Sequence, residues 1–228
     1  MALYVIGDTH LSLGTNKPMD VFGSRWENYV ERLLEGFSEV SAEDTTVICG
    51  DLTWGMNLNE AREDFLFIHN LPGKKIILKG NHDYWWTTAS KAYKFFEENE
   101  IDSISILNNN CFFYEDIALC GTRGWFYEEE KGDEHDKKIM LRELGRLETS
   151  LKAAGDREKL VFLHYPPKYG EYECTEILDL FEKYGVKSCY YGHLHSGACS
   201  IAFQGEKRGV SYKLISADHL SFRPWKIL

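Results

Sequence analysis

Five short apolar runs, each followed within two residues by a glycine or a histidine, constrain the fold of this chain more than any other feature. They are rich in β-branched and aromatic residues, as is typical of strands buried on both faces of a sheet. The runs are Leu3–Ile6, Thr46–Cys49, Ile76–Leu78, Leu160–Leu163 and Cys189–Tyr191. We therefore predict five buried strands at the centre of an α/β fold.

Helical periodicity separates these runs, and strands that alternate with helices predict crossover connections and a largely parallel sheet. The first helix is marked by apolar residues from Trp26 to Phe37, with Ser24 as a candidate N-cap. Two further β-rich runs are too many for one doubly wound sheet, so we expect a second sheet or antiparallel edges. The remaining segments are helical patterns at 59–71, 87–98, 144–151 and 175–184, β-rich runs at 111–120 and 210–216, and a charge-rich solvated loop and helix start at 128–138.

The chain has 228 residues, of which 43% are hydrophobic, and no linker, repeat or low-complexity tract divides it. We predict one domain over residues 1–228. The N-terminal residues do not resemble a signal peptide, and no apolar run is long enough for a membrane span, so we expect a soluble cytoplasmic protein. Six cysteines without CxxC spacing favour free thiols. The net charge of -10 argues against an extended nucleic-acid partner, but bound metal ions could still attract an anionic substrate.

Polar motifs follow the five strands: GDTH, GDL, GNHD, HYP and GHLH. Ligands bind at the carboxyl ends of strands in open α/β folds, so these five loops should converge on one crevice. Glycine lets the chain leave a strand sharply and presents the next side chain to that crevice. The side chains so presented are Asp8, His10, Asp51, Asn81, His82, His164, His193 and His195.

Oxygen and imidazole donors without thiolates suit Mn, Fe, Zn, Ni or Co. Residues two apart in an extended segment point the same way, so Asp8 with His10, and His193 with His195, should each form a two-residue clamp. Seven of these eight side chains are more ligands than one ion needs. Two ions about 3.5 to 4 Å apart that share Asp51 would use them economically. We predict two divalent metal ions, with Mn and Fe favoured.

The ordered set of motifs from residue 7 to residue 195 resembles that of the calcineurin-like metallophosphoesterase family. The resemblance implies a four-layer α/β/β/α sandwich of two mixed sheets flanked by helices, and it places His82 near the leaving group. By position, it assigns Asp8, His10, Asp51 and His195 to one metal ion and Asp51, Asn81, His164 and His193 to the other.

The implied activity is hydrolysis of a phosphomonoester or phosphodiester, in a small molecule or a nucleotide, by a metal-bridging hydroxide. Metal-bound water loses its proton near neutral pH, so no dedicated protein base is needed. Protonated His82 can donate to the departing oxygen, and Asp83 is predicted to orient or charge His82.

The second motif departs from that of the phosphoprotein-phosphatase branch. Its continuation is GDLTWG, with Trp54 and Gly55 where that branch has an Asp and a phosphate-binding Arg. We expect Arg123, Arg25 and Lys168 to supply the missing cations at the substrate, although each could equally pair with a surface carboxylate.

The aromatic residues 84–86, which follow GNHD, have two interpretations. They could form an apolar wall against a nucleobase, or pack the loop against the next helix; we expect packing for at least two of the three. Two other functional classes also stay open. A catalytically silent binding or scaffold protein would keep the fold, and a nuclease of the same superfamily would be expected to show an added domain or a basic surface, which this sequence lacks.

Overall fold

The computed structural model describes residues 1–126 and 134–228, in which thirteen strands and five α-helices are found. The five strands predicted for the centre all form, and four of them begin one to three residues earlier than the apolar runs suggested. The strands are β1 (Leu3–Ile6), β2 (Thr45–Cys49), β3 (Lys74–Leu78), β4 (Ile104–Ile106), β5 (Cys111–Tyr114), β6 (Ile117–Thr122), β7 (Glu158–Leu163), β8 (Lys168–Tyr169), β9 (Tyr172–Glu173), β10 (Val186–Tyr191), β11 (Gly205–Lys207), β12 (Val210–Leu214) and β13 (Trp225–Lys226).

Most strands belong to one of two large sheets. The first has the order β13-β1-β2-β3-β4, in which β1 to β4 run parallel and β13 is antiparallel at the edge. The second has the order β11-β12-β10-β7-β6-β5, with four parallel strands between antiparallel edges. Strands β8 and β9 form a separate hairpin. The predicted second sheet with antiparallel edges is confirmed.

Alternate residues of the central strands face two different apolar layers. In β1, Leu3 and Val5 pack in the layer between the sheets, together with residues such as Phe162 of β7. Tyr4 and Ile6 point the other way, into the layer covered by helices. A third apolar cluster lies between the second sheet and its own helices. The strands are therefore buried on both faces, and the four-layer α/β/β/α sandwich is confirmed.

The helices cover the two outer faces, and their ends differ in places from the sequence prediction. Ser24 caps no helix, because residues 24–26 form a short 3₁₀ turn and Asn28 has a left-handed φ of 49° just before α1. In α3 the cap is Thr88, whose hydroxyl accepts the N–H of Lys91 at 3.2 Å. Residues 128–133 of the charge-rich run lie outside the described residues, and the run meets α4 at residue 134. The helices are α1 (Tyr29–Gly36), α2 (Arg62–Asn70), α3 (Ala89–Glu98), α4 (Glu134–Ala153) and α5 (Thr175–Tyr184).

The six cysteines are free thiols, as their spacing predicted. Within residues 1–126 and 134–228, no helix combines the length and apolar composition needed to cross a bilayer.

The two sheets meet at the carboxyl ends of their central strands. Beyond β1, Gly7 forms a parallel bridge with Ser216, which follows β12. The N–H of Gly7 donates to the carbonyl oxygen of Ile215 at 2.8 Å, and the N–H of Ala217 donates to that of Gly7 at 2.9 Å. Loops from both sheets are thereby held side by side.

Candidate metal centre

Two groups of potential metal ligands lie where the loops of the two sheets meet. One comprises Asp8, His10 and His195, and within it the candidate ligand atoms all lie within 4.8 Å of one another. The other comprises Asp51, His164 and His193 and meets the same limit. Each group therefore combines side chains from loops of both sheets.

Asp51 and Asn81 connect these groups into one site. Asp51 Oδ2 lies 3.7 Å from His10 Nε2 and 3.6 Å from His164 Nε2, so this carboxylate stands between the two groups. Asn81 Oδ1 lies 2.6 Å from His164 Nε2 and 3.0 Å from His193 Nδ1. The structure thus brings together all seven side chains that the sequence suggested as ligands.

The hydrogen bonds of two histidines aim nitrogen lone pairs into this site. His164 Nδ1 donates to the carbonyl oxygen of Cys49 at 3.1 Å, which leaves the lone pair of Nε2 facing Asn81 Oδ1. His195 Nδ1 donates to Asp218 Oδ1 at 2.9 Å, which directs its Nε2 toward His10 Nε2 at 3.3 Å. With the amide oxygen of Asn81 on this side, two acceptors lie 2.6 Å apart, and a cation bound by both removes their repulsion. This arrangement fits metal ligation.

Buried charge at the site also fits a cation. Burial, together with repulsion from Asp51, raises the pKa of Asp8 to about 8, and burial raises the pKa of Asp51 to about 6. Burial lowers the pKa of His164 to about 3 and that of His193 to about 2, which keeps both imidazoles in the neutral form that binds metals. Carboxylates and neutral imidazoles without thiolates are a donor set for first-row divalent ions.

Four of these ligands have a left-handed backbone, which the sequence prediction missed. The φ angles are 58° at Asp8, 45° at His10, 50° at Asp51 and 71° at His193. The extended backbone predicted for the two-residue clamps is therefore wrong. Asp8 and His10 nevertheless lie in one group, as predicted, whereas His193 and His195 point into different groups. Such strained residues concentrate at functional sites.

Two glycines of the motifs are needed for close approach rather than for turning. A β-carbon on Gly80 would overlap the side chain and the main-chain nitrogen of Asp51. A β-carbon on Gly192 would overlap the carboxylate of Asp8. Neither glycine has a positive φ, so the sharp exit predicted from glycine is not their role. They leave the space in which the two carboxylates lie.

His82 lies beside the ligand groups and is partly exposed. The main-chain N–H of His82 donates to Asp51 Oδ1 at 2.7 Å. Its ring Nδ1 is 3.1 Å from the Tyr84 hydroxyl, and its ring centroid is 4.5 Å from that of Trp54. Burial lowers the pKa of His82, while the charge of Asp51 opposes this change. The imidazole is therefore placed at the rim of the site, on the loop that carries Asn81.

The structure corrects the role predicted for Asp83. Its fully buried carboxylate accepts the main-chain N–H groups of Asp51, Leu52 and Gly80 at 2.7–2.9 Å, and the indole N–H of Trp85 at 2.9 Å. These contacts face away from the imidazole, as expected for adjacent residues that point apart. Asp83 therefore positions the ligand loops and does not orient His82.

Three further residues at the site were not found by sequence reasoning. Trp54 stacks on His10 with ring centroids 5.0 Å apart, and Lys17 Nζ lies 3.1 Å from the centroid of the Trp54 ring. Asp218 holds His195, as described above. Trp54 could have been suspected from its place two residues after GDL, whereas Lys17 and Asp218 lie in no motif.

The aromatics after GNHD divide as predicted, with two of them packed. Trp85 is buried, and its ring centroid is 4.8 Å from that of Phe65. Trp86 is half-buried against the same apolar cluster. Tyr84 is 48% exposed and contacts His82, so it alone is available at the mouth of the site.

The three cations suggested for substrate binding have different surroundings. Arg123 lies beside the site, because its main-chain oxygen accepts the N–H of His164 at 3.1 Å. Arg25 is exposed, and its charge acts on Asp218. Burial raises the pKa of Asp218, but the hydrogen bond from His195 and the charges of His195 and Arg25 outweigh burial and lower it. Lys168 forms an ion pair with Glu173 at 3.7 Å. Arg123 is thus the one of the three whose main chain contacts a candidate ligand, while its side chain lies 3.6 Å from Glu143.

Comparison with known proteins identifies the family of the chain. The sequence profile of the calcineurin-like phosphoesterase family matches residues 1–197. Human tartrate-resistant acid phosphatase type 5 is 25% identical in an alignment that covers 63% of this chain and 48% of that protein, and the rat protein is 24% identical over 67% and 50%. The chain therefore spans about half the length of the curated relatives it matches.

Solved structures with the same fold extend over nearly the whole chain. A phosphopantetheinyl hydrolase from Mycobacterium tuberculosis superposes with a TM-score of 0.61 at 12% identity, covering 100% of this chain and 95% of that one. A protein of unknown function from Aquifex aeolicus superposes with a TM-score of 0.53 at 16% identity, covering 99% and 95%. At these identities the likeness concerns the fold alone.

Proposed function

Because the chain belongs to the calcineurin-like phosphoesterase family, we propose that it is a metal-dependent hydrolase that cleaves a phosphomonoester or phosphodiester in a small molecule or a nucleotide. The observation that carries the proposal is the convergence of seven oxygen and imidazole donors, with Asp51 between the two groups. No arrangement of this kind is needed to stabilise a fold, since buried carboxylates at such a site are destabilising without a cation.

We assign the donors to two divalent ions that share Asp51, with Mn and Fe favoured. When bound, the ions lower the pKa of water to supply the nucleophile and stabilise the charge that develops on the phosphoryl oxygens. Asp218 fixes the tautomer of His195, and the carbonyl oxygen of Cys49 fixes that of His164, so the ligand lone pairs are oriented before any ion arrives.

His82 is proposed to protonate the departing oxygen. Its Nδ1 is engaged by the Tyr84 hydroxyl, which leaves Nε2 to carry the proton toward the substrate. Burial lowers the pKa of His82 in the protein alone, and the negative charge of a bound phosphate raises it again. Trp54 packs against both His82 and His10 and excludes water from that side of the site.

The test is hydrolysis of p-nitrophenyl phosphate and of bis(p-nitrophenyl) phosphate by the purified protein with Mn²⁺. His82→Ala should lower kcat by about 10² to 10⁴ while metal content stays near that of the wild type. His69→Ala is the matched control, because His69 lies in α2, where its ring contacts Ser103, and it should leave kcat unchanged.

Two results would contradict this account. Loss of both metals in the His82→Ala protein would make His82 a ligand or a structural residue. Absence of metal-dependent hydrolysis of both probes would favour a binding or scaffold protein with this fold. Where hydrolysis is found, the ratio of the activities on p-nitrophenyl phosphate and on bis(p-nitrophenyl) phosphate distinguishes a monoesterase from a diesterase.

A further inference from the structure

A cavity of about 460 Å³ lies beside the metal centre and is lined mainly by cationic and hydroxyl side chains. It belongs to neither ligand group. The side chains that give it its character are Lys79, Thr87, Thr88, Arg123, Arg142 and Arg146.

The cavity has a strong excess of positive charge. Its cations are Lys79, Arg123, Arg142 and Arg146, and buried Glu143 lies 2.5 Å from Arg146 Nη1 and 3.6 Å from Arg123 Nη2. The buried carboxylate of Asp83 also acts on Lys79, so four positive charges and two negative charges leave a formal charge of +2. Neither Lys79 nor Arg142 forms an ion pair with any residue of 1–126 or 134–228.

Two uncommitted groups of hydrogen-bond donors point to an anion as the missing ligand. The guanidinium Nε of Arg123 is buried and has no hydrogen-bond partner within the part of the chain that the structure describes. The ten-residue helix α3 also begins at this cavity, with Thr88 as its cap, and helix N-termini attract phosphate through their free N–H groups and dipole.

The cavity and the metal centre share two loops. Lys79 is two residues from Asn81, so their Cα atoms are at most about 7 Å apart. On the other side, the main-chain oxygen of Arg123 accepts the N–H of His164. Both loops therefore place a cavity residue next to a candidate metal ligand.

We propose that this cavity binds a second phosphate group of the substrate, so that the preferred substrate carries one phosphoryl group at the metal centre and another in the cationic cavity. The inference rests on the proposed phosphoesterase function and specifies its substrate class. At 460 Å³ the cavity also has room for part of the group that links the two phosphates.

Binding of non-hydrolysable phosphonates to the metal-loaded protein tests the proposal without relying on turnover. Isothermal titration compares propylphosphonate with α,ω-alkane bisphosphonates of increasing chain length. One bisphosphonate length should bind at least about tenfold more tightly than the monophosphonate, as one added charge-assisted hydrogen bond provides. Arg142→Gln should remove most of that advantage, because Arg142 is exposed and unpaired among the described residues and its replacement leaves the fold intact.

Lys152→Gln is the matched control, because it removes one positive charge from α4 outside the cavity. It should leave the tighter binding of the bisphosphonate unchanged. Equal affinities of the monophosphonate and of every bisphosphonate would overturn the proposal, and so would an advantage that survives Arg142→Gln. Two bound propylphosphonate molecules, of which one is lost in Arg142→Gln, would assign the cavity to a separate phosphate ion and overturn the substrate assignment. Failure of the esterase function itself is recognised separately, by absence of metal-dependent hydrolysis of p-nitrophenyl phosphate.

Discussion

Replacing Asp83 by Asn should destabilise the protein far more than an isosteric change of one atom suggests. Oδ2 of Asp83 accepts the N–H groups of Asp51 and Gly80, and Oδ1 accepts those of Leu52 and the Trp85 indole. An Asn side chain has one oxygen, so in either orientation two of the four donors face an NH₂ group. All of these contacts are buried, and water cannot replace the lost acceptor.

Each buried donor left without a partner costs about 1 to 3 kcal/mol, so Asp83→Asn should lower the free energy of unfolding by about 2 to 6 kcal/mol. This is a large part of the total for a domain, which is about 5 to 15 kcal/mol. Burial and repulsion from Asp51 raise the pKa of Asp83 to about 6, so the comparison is made at pH 8, where the carboxylate is ionised.

Urea denaturation followed by tryptophan fluorescence measures the change, and metal analysis of the same samples shows whether Asp51 has moved. Asp20→Asn provides the control, because Asp20 is exposed and its replacement should change stability by less than about 0.5 kcal/mol. If Asp83→Asn were as stable as this control and kept its metals, the positioning role argued for Asp83 would be refuted.

Two further outcomes are expected. Gly80→Ala should lower both stability and metal content, because the new β-carbon overlaps Asp51. Gly145→Ala lies in α4 with open space around the new β-carbon and should raise the free energy of unfolding by up to about 1 kcal/mol. Equal effects of the two substitutions in denaturation and metal analysis would contradict this. Burial raises the pKa of Asp8 to about 8 in the metal-free protein, so the folded state retains a proton that the unfolded state has lost. The free energy of unfolding should therefore fall as the pH rises from 6.5 to 8, by up to about 1.4 kcal/mol per pH unit. Denaturation of metal-free wild type and Asp8→Asn across this range checks it, and an identical slope in both would assign the effect to another group.

The strands and the membership of the site could be predicted from the sequence because both depend on local signals. An apolar run such as Leu160–Leu163 that ends in His164 indicates both a buried strand and the edge at which it stops. Parallel strands then bring their carboxyl ends to one place, so the candidate ligands could be named without coordinates.

What the sequence could not provide is the direction in which each side chain points. Asp8 and Asp51 adopt left-handed backbone angles that nothing in their residue type requires. Asp83 sits beside His82 in the chain but contacts a loop 31 residues away, and Asp218 reaches His195 across 23 residues. Arg142 lies in no motif and in neither the charge-rich run nor the helical pattern at 144–151, and its place in a cationic cavity depends on where β3 and β6 end.

The distribution of ligands over the two sheets explains why the apolar layer between them matters for function. Asp8 and His10 follow β1 in the first sheet, whereas His195 follows β10 in the second, and the other group is divided in the same way. Each group of three therefore needs side chains from both sheets. The relative position of the two halves is set by side chains such as Val47 and Phe162, which pack between the sheets. Any ion bound in either group joins the two sheets, so metal affinity and the packing of the sandwich are thermodynamically linked.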